Sequence, residues 1–123
     1  MKLTFLIILF AFSNPIFSYE KILGEFSTVS ESACNSEIHF LNNGKGFFID
    51  SCLNEDGTLA GNIDKQNIFW QVNNNKIIVK INGLNEVFTY QNNLSCNPFG
   101  EKGYSNGLIG FDLYFWRKPI KCK

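Results

Sequence analysis

The chain has 123 residues, with 11 basic and 11 acidic side chains, so its formal charge is close to zero. The two signs are interspersed, which excludes the continuous basic stripe by which proteins bind nucleic acids. The length fits one small domain with a core of modest size.

Residues 1–18 are expected to be a secretory signal rather than part of the fold. Lys2 provides a positive start, and the run over residues 3–12 is almost entirely apolar. That run is about half the length that a membrane-spanning helix needs. We therefore expect an exported chain, secreted or periplasmic, with one domain over residues 19–123 and no stable membrane span.

The first elements predicted in the domain are a strand and a hairpin. The strand covers residues 22–29 (ILGEFSTV), and the hairpin joins residues 37–41 to residues 46–51 through a turn centred on Asn43-Gly44. Its register predicts four facing pairs: Phe40 with Gly46, Ile38 with Phe48, Ser36 with Asp50, and Cys34 with Cys52.

Four cysteines, all beyond the signal, fit disulfides formed in an oxidising compartment. Three connectivities are possible, and the hairpin favours Cys34–Cys52, which leaves Cys96 and Cys122 to each other. A zinc site of four thiolates is the alternative, but no Cys-x-x-Cys pair is present and export favours oxidation. We expect two disulfides and no metal.

A turn and a three-stranded meander occupy the middle of the chain. Residues 54–57 (NEDG) predict the turn, and residues 58–64 a weak strand interrupted by glycine. From residue 68 to residue 90, the runs IFWQV, KIIVKI and LNEVFTY are separated by three asparagines and by Asn82-Gly83. Because strand side chains alternate and Asn-Gly supplies positive φ for a tight turn, this stretch predicts an antiparallel meander.

The last part of the chain predicts a long loop and one final strand. Residues 91–107 (QNNLSCNPFGEKGYSNG) lose the alternation, and structureless connections of this length are often functional. Residues 108–117 (LIGFDLYFWR) predict a single strand, with Phe111 and Phe115 on one face and Trp116 on the other.

About eight short strands, with hardly any helical periodicity, indicate an all-β barrel or sandwich. A Gly24-x-Phe26 opening, an Asn-Gly-Lys-Gly-Phe hairpin and the strands Ile-Phe-Trp-Gln-Val and Lys-Ile-Ile-Val make the chain resemble a small lipocalin-like (calycin-type) barrel of exported bacterial proteins. The resemblance implies an antiparallel meander barrel, with Phe26 at the family's usual Trp position and Arg117 available to pack on that ring. A β-sandwich or an oligonucleotide/oligosaccharide-binding barrel would satisfy the same pattern.

No enzyme signature emerges from the ionisable residues, and we expect no catalytic residue and no cofactor. His39 is the single histidine and lies on the strand face opposite its apolar neighbours, so a structural or solvent-exposed role is expected. The acidic residues near the second turn are interpreted as turn formers rather than an acid–base pair or a calcium loop: Asp50, Glu55, Asp56 and Asp64.

Two binding hypotheses remain. In the first, the protein docks on another envelope or secreted protein, for instance as an inhibitor, through four aromatic side chains: Phe99, Tyr104, Tyr114 and Trp116. Alternatively, Tyr114 and Trp116 simply pack beneath the loop held by Cys96. In the second hypothesis, the protein carries a small apolar ligand in the barrel interior, among Trp70, Ile77, Val79 and Phe111. The shortness of the chain argues for an interior filled by its own side chains.

Overall fold

The computed structural model describes residues 21–29, 34–58, 64–74 and 76–123. Eight antiparallel strands follow one another around a closed barrel in sequence order. They are β1 (Gly24–Ser27), β2 (Cys34–Leu41), β3 (Lys45–Cys52), β4 (Asp64–Asn73), β5 (Lys76–Ile81), β6 (Leu84–Ser95), β7 (Tyr104–Gly110) and β8 (Leu113–Lys118). The predicted fold class, a small antiparallel meander barrel with two disulfides, is confirmed.

The barrel closes where β1 pairs with β8 and Phe26 lies opposite Arg117. Alternation along each strand sends one set of side chains inward, and these form a single core. Its members include Phe26, Ile38, Phe40, Ile68, Trp70, Ile77, Val79, Phe88, Leu108 and Phe115. Closure leaves no free sheet edge, so every strand pairs with two neighbours.

The predicted hairpin and both disulfides are confirmed. Strands β2 and β3 pair in the expected register, which places Cys34 opposite Cys52. Disulfides join Cys34 to Cys52 and Cys96 to Cys122. The turn between the strands contains Asn43 with a φ of 67°, a left-handed conformation that asparagine tolerates better than most residues.

The central meander also forms as expected. Trp70 faces Val79 across β4 and β5, and Val79 faces Glu86 across β5 and β6. The Asn82-Gly83 turn has φ values of 52° and 78°, as a two-residue hairpin requires.

The prediction of a loop over residues 91–107 is wrong. Strand β6 continues to Ser95 and β7 begins at Tyr104, so the connection is confined to residues 96–103. The pairing shifts register between Gln91 and Leu94, a bulge that breaks the period-two pattern on which the prediction relied.

The prediction of one final strand over residues 108–117 is also wrong. The chain turns at Phe111 and Asp112, whose φ values are 53° and 59°, and Gly110 pairs with Leu113 across the turn. A bulky residue at positive φ is unusual, but the Phe111 ring contacts Phe48 and Phe88, with centroids 5.5 Å and 5.3 Å away, and these contacts offset the strain.

Two other predictions concern residues outside the described ranges: the signal over residues 1–18 and most of the weak strand over residues 58–64. The predicted turn at residues 54–57 is present, since the Gly57 amide donates to the Asn54 carbonyl at 2.9 Å. The part of the chain that the structure describes contains no helix of the length and apolarity that crossing a membrane would take.

Candidate functional site

Two of the four aromatic residues singled out for docking lie on the outer face of β8. Phe115 points into the core, so its neighbours Tyr114 and Trp116 point outward. The Trp116 ring lies 5.4 Å from the Phe99 ring, edge to face, and 6.1 Å from the Tyr114 ring. Three of the four residues proposed for docking therefore form one group.

Trp116 is the covered centre of this group. Only 5% of its surface is exposed, and its indole N–H donates to the Ser95 carbonyl at 3.2 Å. Leu94 and Cys96 are also buried, although neither belongs to the barrel core. We call Leu94, Cys96, Phe99, Tyr114 and Trp116 the outer aromatic cluster. Tyr114 is its open edge, with 55% of its surface exposed.

Two features of the backbone create this cluster. Gly107 lies on the outer face opposite Trp116, and a Cβ there would collide with Leu94 Cδ1 and the Phe115 carbonyl. The absence of a side chain at Gly107 thus lets Leu94 lie flat on the sheet. The bulge in β6 places Leu94 opposite Ser105, on the same outer face.

The segment over residues 96–103 covers Trp116 in the outer aromatic cluster. The Cys96–Cys122 disulfide ties its beginning to the carboxyl-terminal segment, and the Cys96 amide donates to the Gly103 carbonyl at 3.0 Å. The Phe99 amide donates to the Cys96 carbonyl at 2.9 Å, closing a short 3₁₀ turn. The sequence left open the alternative that Tyr114 and Trp116 both pack beneath this segment; Trp116 does so, whereas Tyr114 is 55% exposed.

An apolar recess of about 350 Å³ opens beside the cluster. Leu94, Pro98, Ile109, Tyr114 and Trp116 line it, and no charged residue does. Neutral polar residues complete its wall: Gln91, Asn93 and Ser95. A concave apolar surface with a neutral polar border suits the insertion of an apolar side chain from a partner.

Tyr104 does not join the other three aromatics. It lies at the start of β7, four residues before the core residue Leu108, and so belongs to the inward-facing phase of the strand. Its side chain is 57% exposed and lines a different recess at the end of the barrel, together with Arg117.

The four residues of the interior hypothesis do not all lie in the barrel core. Trp70, Ile77 and Val79 are buried in the core, whereas Phe111 sits at the barrel rim with 38% of its surface exposed. The protein's own side chains occupy the interior around them: Ile77 and Val79 have no exposed surface, and the Trp70 ring packs on the Phe40 ring with centroids 5.1 Å apart. Among five recesses on the described residues, none is lined by Ile77 or Val79, and the one that Trp70 lines is formed with Phe69, Gln71 and Ile78.

His39 lies on the outer face of β2 with two carboxylates around it. Its Nδ1 is 3.4 Å from Glu25 Oε1 and its Nε2 is 3.1 Å from Glu37 Oε1, while the ring stacks on Phe47 at 4.4 Å. Lys118 Nζ lies 3.6 Å from the same Glu37 oxygen. Because the carboxylates contact opposite ring nitrogens and Lys118 forms an ion pair with one of them, this group is better described as a surface cluster of polar contacts than as a metal site.

The acidic residues near the second turn do not converge on a cleft. Asp56 accepts hydrogen bonds from the Thr58 hydroxyl at 2.6 Å and the Thr58 amide at 3.0 Å, and these bonds hold the pKa of its carboxyl below the ordinary value. Asp50 faces Asp64 across β3 and β4, and both are exposed. The interpretation as turn formers therefore agrees with Glu55 and Asp56, but it is wrong for Asp50 and Asp64, which lie within strands β3 and β4.

No protein-family model, curated protein or solved structure gives a significant match to this chain. Its site is therefore interpreted from its own geometry. Fold and site together define a small closed antiparallel barrel with two disulfides, a packed interior and an apolar recess on its outer face.

Proposed function

We propose that this protein is an exported binding protein that docks on another secreted or envelope protein through the outer aromatic cluster. The observation that carries this proposal is the apolar recess beside Tyr114, which lies on the outside of the barrel. The two disulfides support an oxidising compartment as the site of action.

The chemistry of the recess specifies the kind of partner. Its volume of about 350 Å³ is of the size that one or two apolar side chains of a protruding loop fill. Its border carries amide and hydroxyl groups but no charge, so the partner loop is expected to be neutral around its apolar tip. Tyr114, half exposed and held by Trp116, is the best-placed anchor because tyrosine supplies much of the binding energy at such interfaces.

The test has two stages. The full-length protein, carrying a photo-reactive residue in place of Ile109, is used to capture partners from the secreted and envelope fractions of its host. Each captured protein is then purified, and its affinity is measured by titration calorimetry with the unmodified protein and with two alanine variants.

Tyr114→Ala is the informative variant and Val87→Ala its control. Val87 is also exposed and outward-facing, on β6, but does not line the recess. We expect Tyr114→Ala to weaken binding by at least about tenfold, the loss typical of an anchor residue, and Val87→Ala to leave it unchanged. Equal effects of the two variants, or no purified protein that binds saturably, would refute the proposal.

A lipocalin-like carrier of an apolar ligand is the second candidate. The closed eight-stranded barrel favours it, as does the Arg117 guanidinium, which lies 4.6 Å above the Phe26 ring as the lipocalin resemblance implies. The packed interior argues against it, since an eight-stranded barrel can be filled by its own side chains. Native mass spectrometry of the protein purified from its host decides between them, because a carrier retains a small-ligand mass.

A further inference from the structure

The inward face of β8 ends at a second recess. It differs in position and in lining residues from the apolar recess beside the outer aromatic cluster. Arg117 follows the core residue Phe115 by two positions, and Asn106 precedes the core residue Leu108 by two, so both reach the end of the barrel on its inner side. Two adjoining depressions of about 430 Å³ and 400 Å³ share these residues and Asn92. We call them together the basic recess.

The basic recess concentrates positive charge. Lys121 and Lys123 line one depression, Lys21 lines the other, and Arg117 lines both. Neither contains an aspartate or glutamate among its lining residues. Within the described ranges, no ion pair neutralises any of these four cations. In a chain with equal numbers of acidic and basic residues, residues 117–123 supply three of these cations, and the fold adds Lys21 to them.

Arg117 is held in place before any ligand arrives. Its Nη1 donates to the Leu23 carbonyl at 2.9 Å, and its guanidinium lies over the Phe26 ring. These contacts occupy one face and one donor of a planar group that carries five N–H bonds. The side chain therefore costs little further ordering when it binds an anion through the donors that remain.

Neutral groups complete the recess. Asn92 and Asn106 are exposed amides, each able to donate two hydrogen bonds, and Tyr104 forms a half-exposed aromatic wall. The backbone that carries Tyr104 is held in place, because the main chains of Tyr104 and Lys123 exchange two hydrogen bonds, both of 2.9 Å.

We propose that the basic recess at the end of the barrel, centred on Arg117, Asn92 and Asn106, binds a small molecule through an oxyanion, either a carboxylate or a phosphate. The guanidinium takes either group through paired N–H donors, and the amides and lysines supply additional ones. Each depression encloses a few hundred cubic ångströms, which suits a small ligand. This site lies on the opposite side of β8 from the outer aromatic cluster, so it does not depend on the docking function.

The test is an NMR titration of the full-length protein, labelled with ¹⁵N, at constant ionic strength. Inorganic phosphate is the probe in one arm and citrate in the other. We expect saturable shifts of the Asn92 and Asn106 side-chain amides in at least one arm, with a Kd on the order of 1 mM or tighter. Saturation by phosphate alone assigns a phosphate ligand, saturation by citrate alone a carboxylate ligand, and saturation by both an oxyanion of either kind.

A matched pair of variants separates a site from general attraction to a positive surface. Asn106→Asp introduces one negative charge into the recess, and Asn85→Asp introduces the same charge at an exposed position on β6 outside it. We expect Asn106→Asp to weaken binding by tenfold or more and Asn85→Asp by less than twofold. Lys121→Gln, which touches no core residue in the described contacts, is expected to weaken binding by a few fold.

Two results would overturn the proposal. The first is the absence of saturation in both arms, with shifts that grow linearly and spread over lysines elsewhere. The second is an equal loss of affinity in Asn106→Asp and Asn85→Asp, which would mean that net charge alone attracts the anion.

Discussion

The inner and outer faces of β6–β8 both bury aromatic side chains, but by different means. Inside, the Phe88 and Phe115 rings contact each other and belong to one core to which all eight strands contribute. Outside, Trp116 is covered by one short segment, which a disulfide and a few main-chain hydrogen bonds hold in place. The interior therefore depends on contacts among all eight strands, whereas the burial of Trp116 in the outer aromatic cluster depends on that one segment.

The largest expected effect comes from opening the interior. Phe88→Ala removes a fully buried ring that contacts Phe111 and Phe115, and it should lower the free energy of unfolding by about 3–5 kcal/mol. Urea denaturation followed by circular dichroism measures this loss. The neighbouring variant Val87→Ala, on the exposed face, should change it by less than about 0.5 kcal/mol. Similar losses in both would mean that the interior is not tightly packed.

An intermediate effect is expected from the disulfide that holds the outer cluster. Replacing Cys96 and Cys122 together by serine opens a loop with a sequence separation of 26 residues, which by chain entropy costs about 3 kcal/mol. The same pair of substitutions at Cys34 and Cys52 opens a separation of 18 residues and should cost a similar amount.

The two double variants differ in what happens to Trp116. Loss of Cys96–Cys122 frees the covering segment, so the indole N–H of Trp116 should exchange with solvent faster, as measured by hydrogen-exchange NMR. Loss of Cys34–Cys52 should leave that exchange unchanged, because β2 and β3 remain paired by their ladder. Equal protection of Trp116 in both variants would show that the disulfide is not what keeps the cluster closed.

The smallest effect is expected in a turn that belongs to neither region. The pKa of Asp56 is lowered by hydrogen bonds from Thr58, so its charged form stabilises the folded state. That stabilisation is present above the ordinary aspartate pKa and disappears as the pH falls through the lowered value, in the range below about pH 4. Thermal unfolding of the wild type and Asp56→Asn between pH 2 and 6 should converge at the acid end. A difference that persists there would contradict the assignment, and Glu55→Gln serves as the control.

Local patterns were sufficient to predict the hairpins that carry their own signals. The Asn43-Gly44 and Asn82-Gly83 turns specify register through positive φ, and the Cys34–Cys52 pair follows from counting outward from the first of them. The turn at Phe111 was missed because no glycine or asparagine marks it and its conformation depends on ring contacts with residues far away in sequence. The extension of β6 and β7 was missed because a bulge hides their alternation.

Local patterns likewise predicted some members of the candidate sites and missed others. The grouping of Tyr114 and Trp116 follows from alternation along one strand. Phe99 contacts Trp116 in a segment that the predicted Cys96–Cys122 disulfide ties to the carboxyl-terminal residues. Tyr104 was grouped with the other three aromatic residues, which it does not contact. The bulge and the length of β7 decide which way its side chain faces. The recess around Asn106 and Arg117 carries no motif that could have revealed it.

The amino-acid sequence by itself determined the all-β architecture, the central meander over residues 68–90 and the disulfide pairing, because alternation, turn chemistry and cysteine spacing act over short distances along the chain. Only the tertiary structure decided which side chains share a site. Barrel closure brings Phe26 of β1 against Arg117 of β8, and it also brings Lys21 to the end of the barrel where residues 117–123 already supply three cations to the basic recess. Residues that far apart in sequence become neighbours through the pairing of the first strand with the last, and no local pattern encodes that contact.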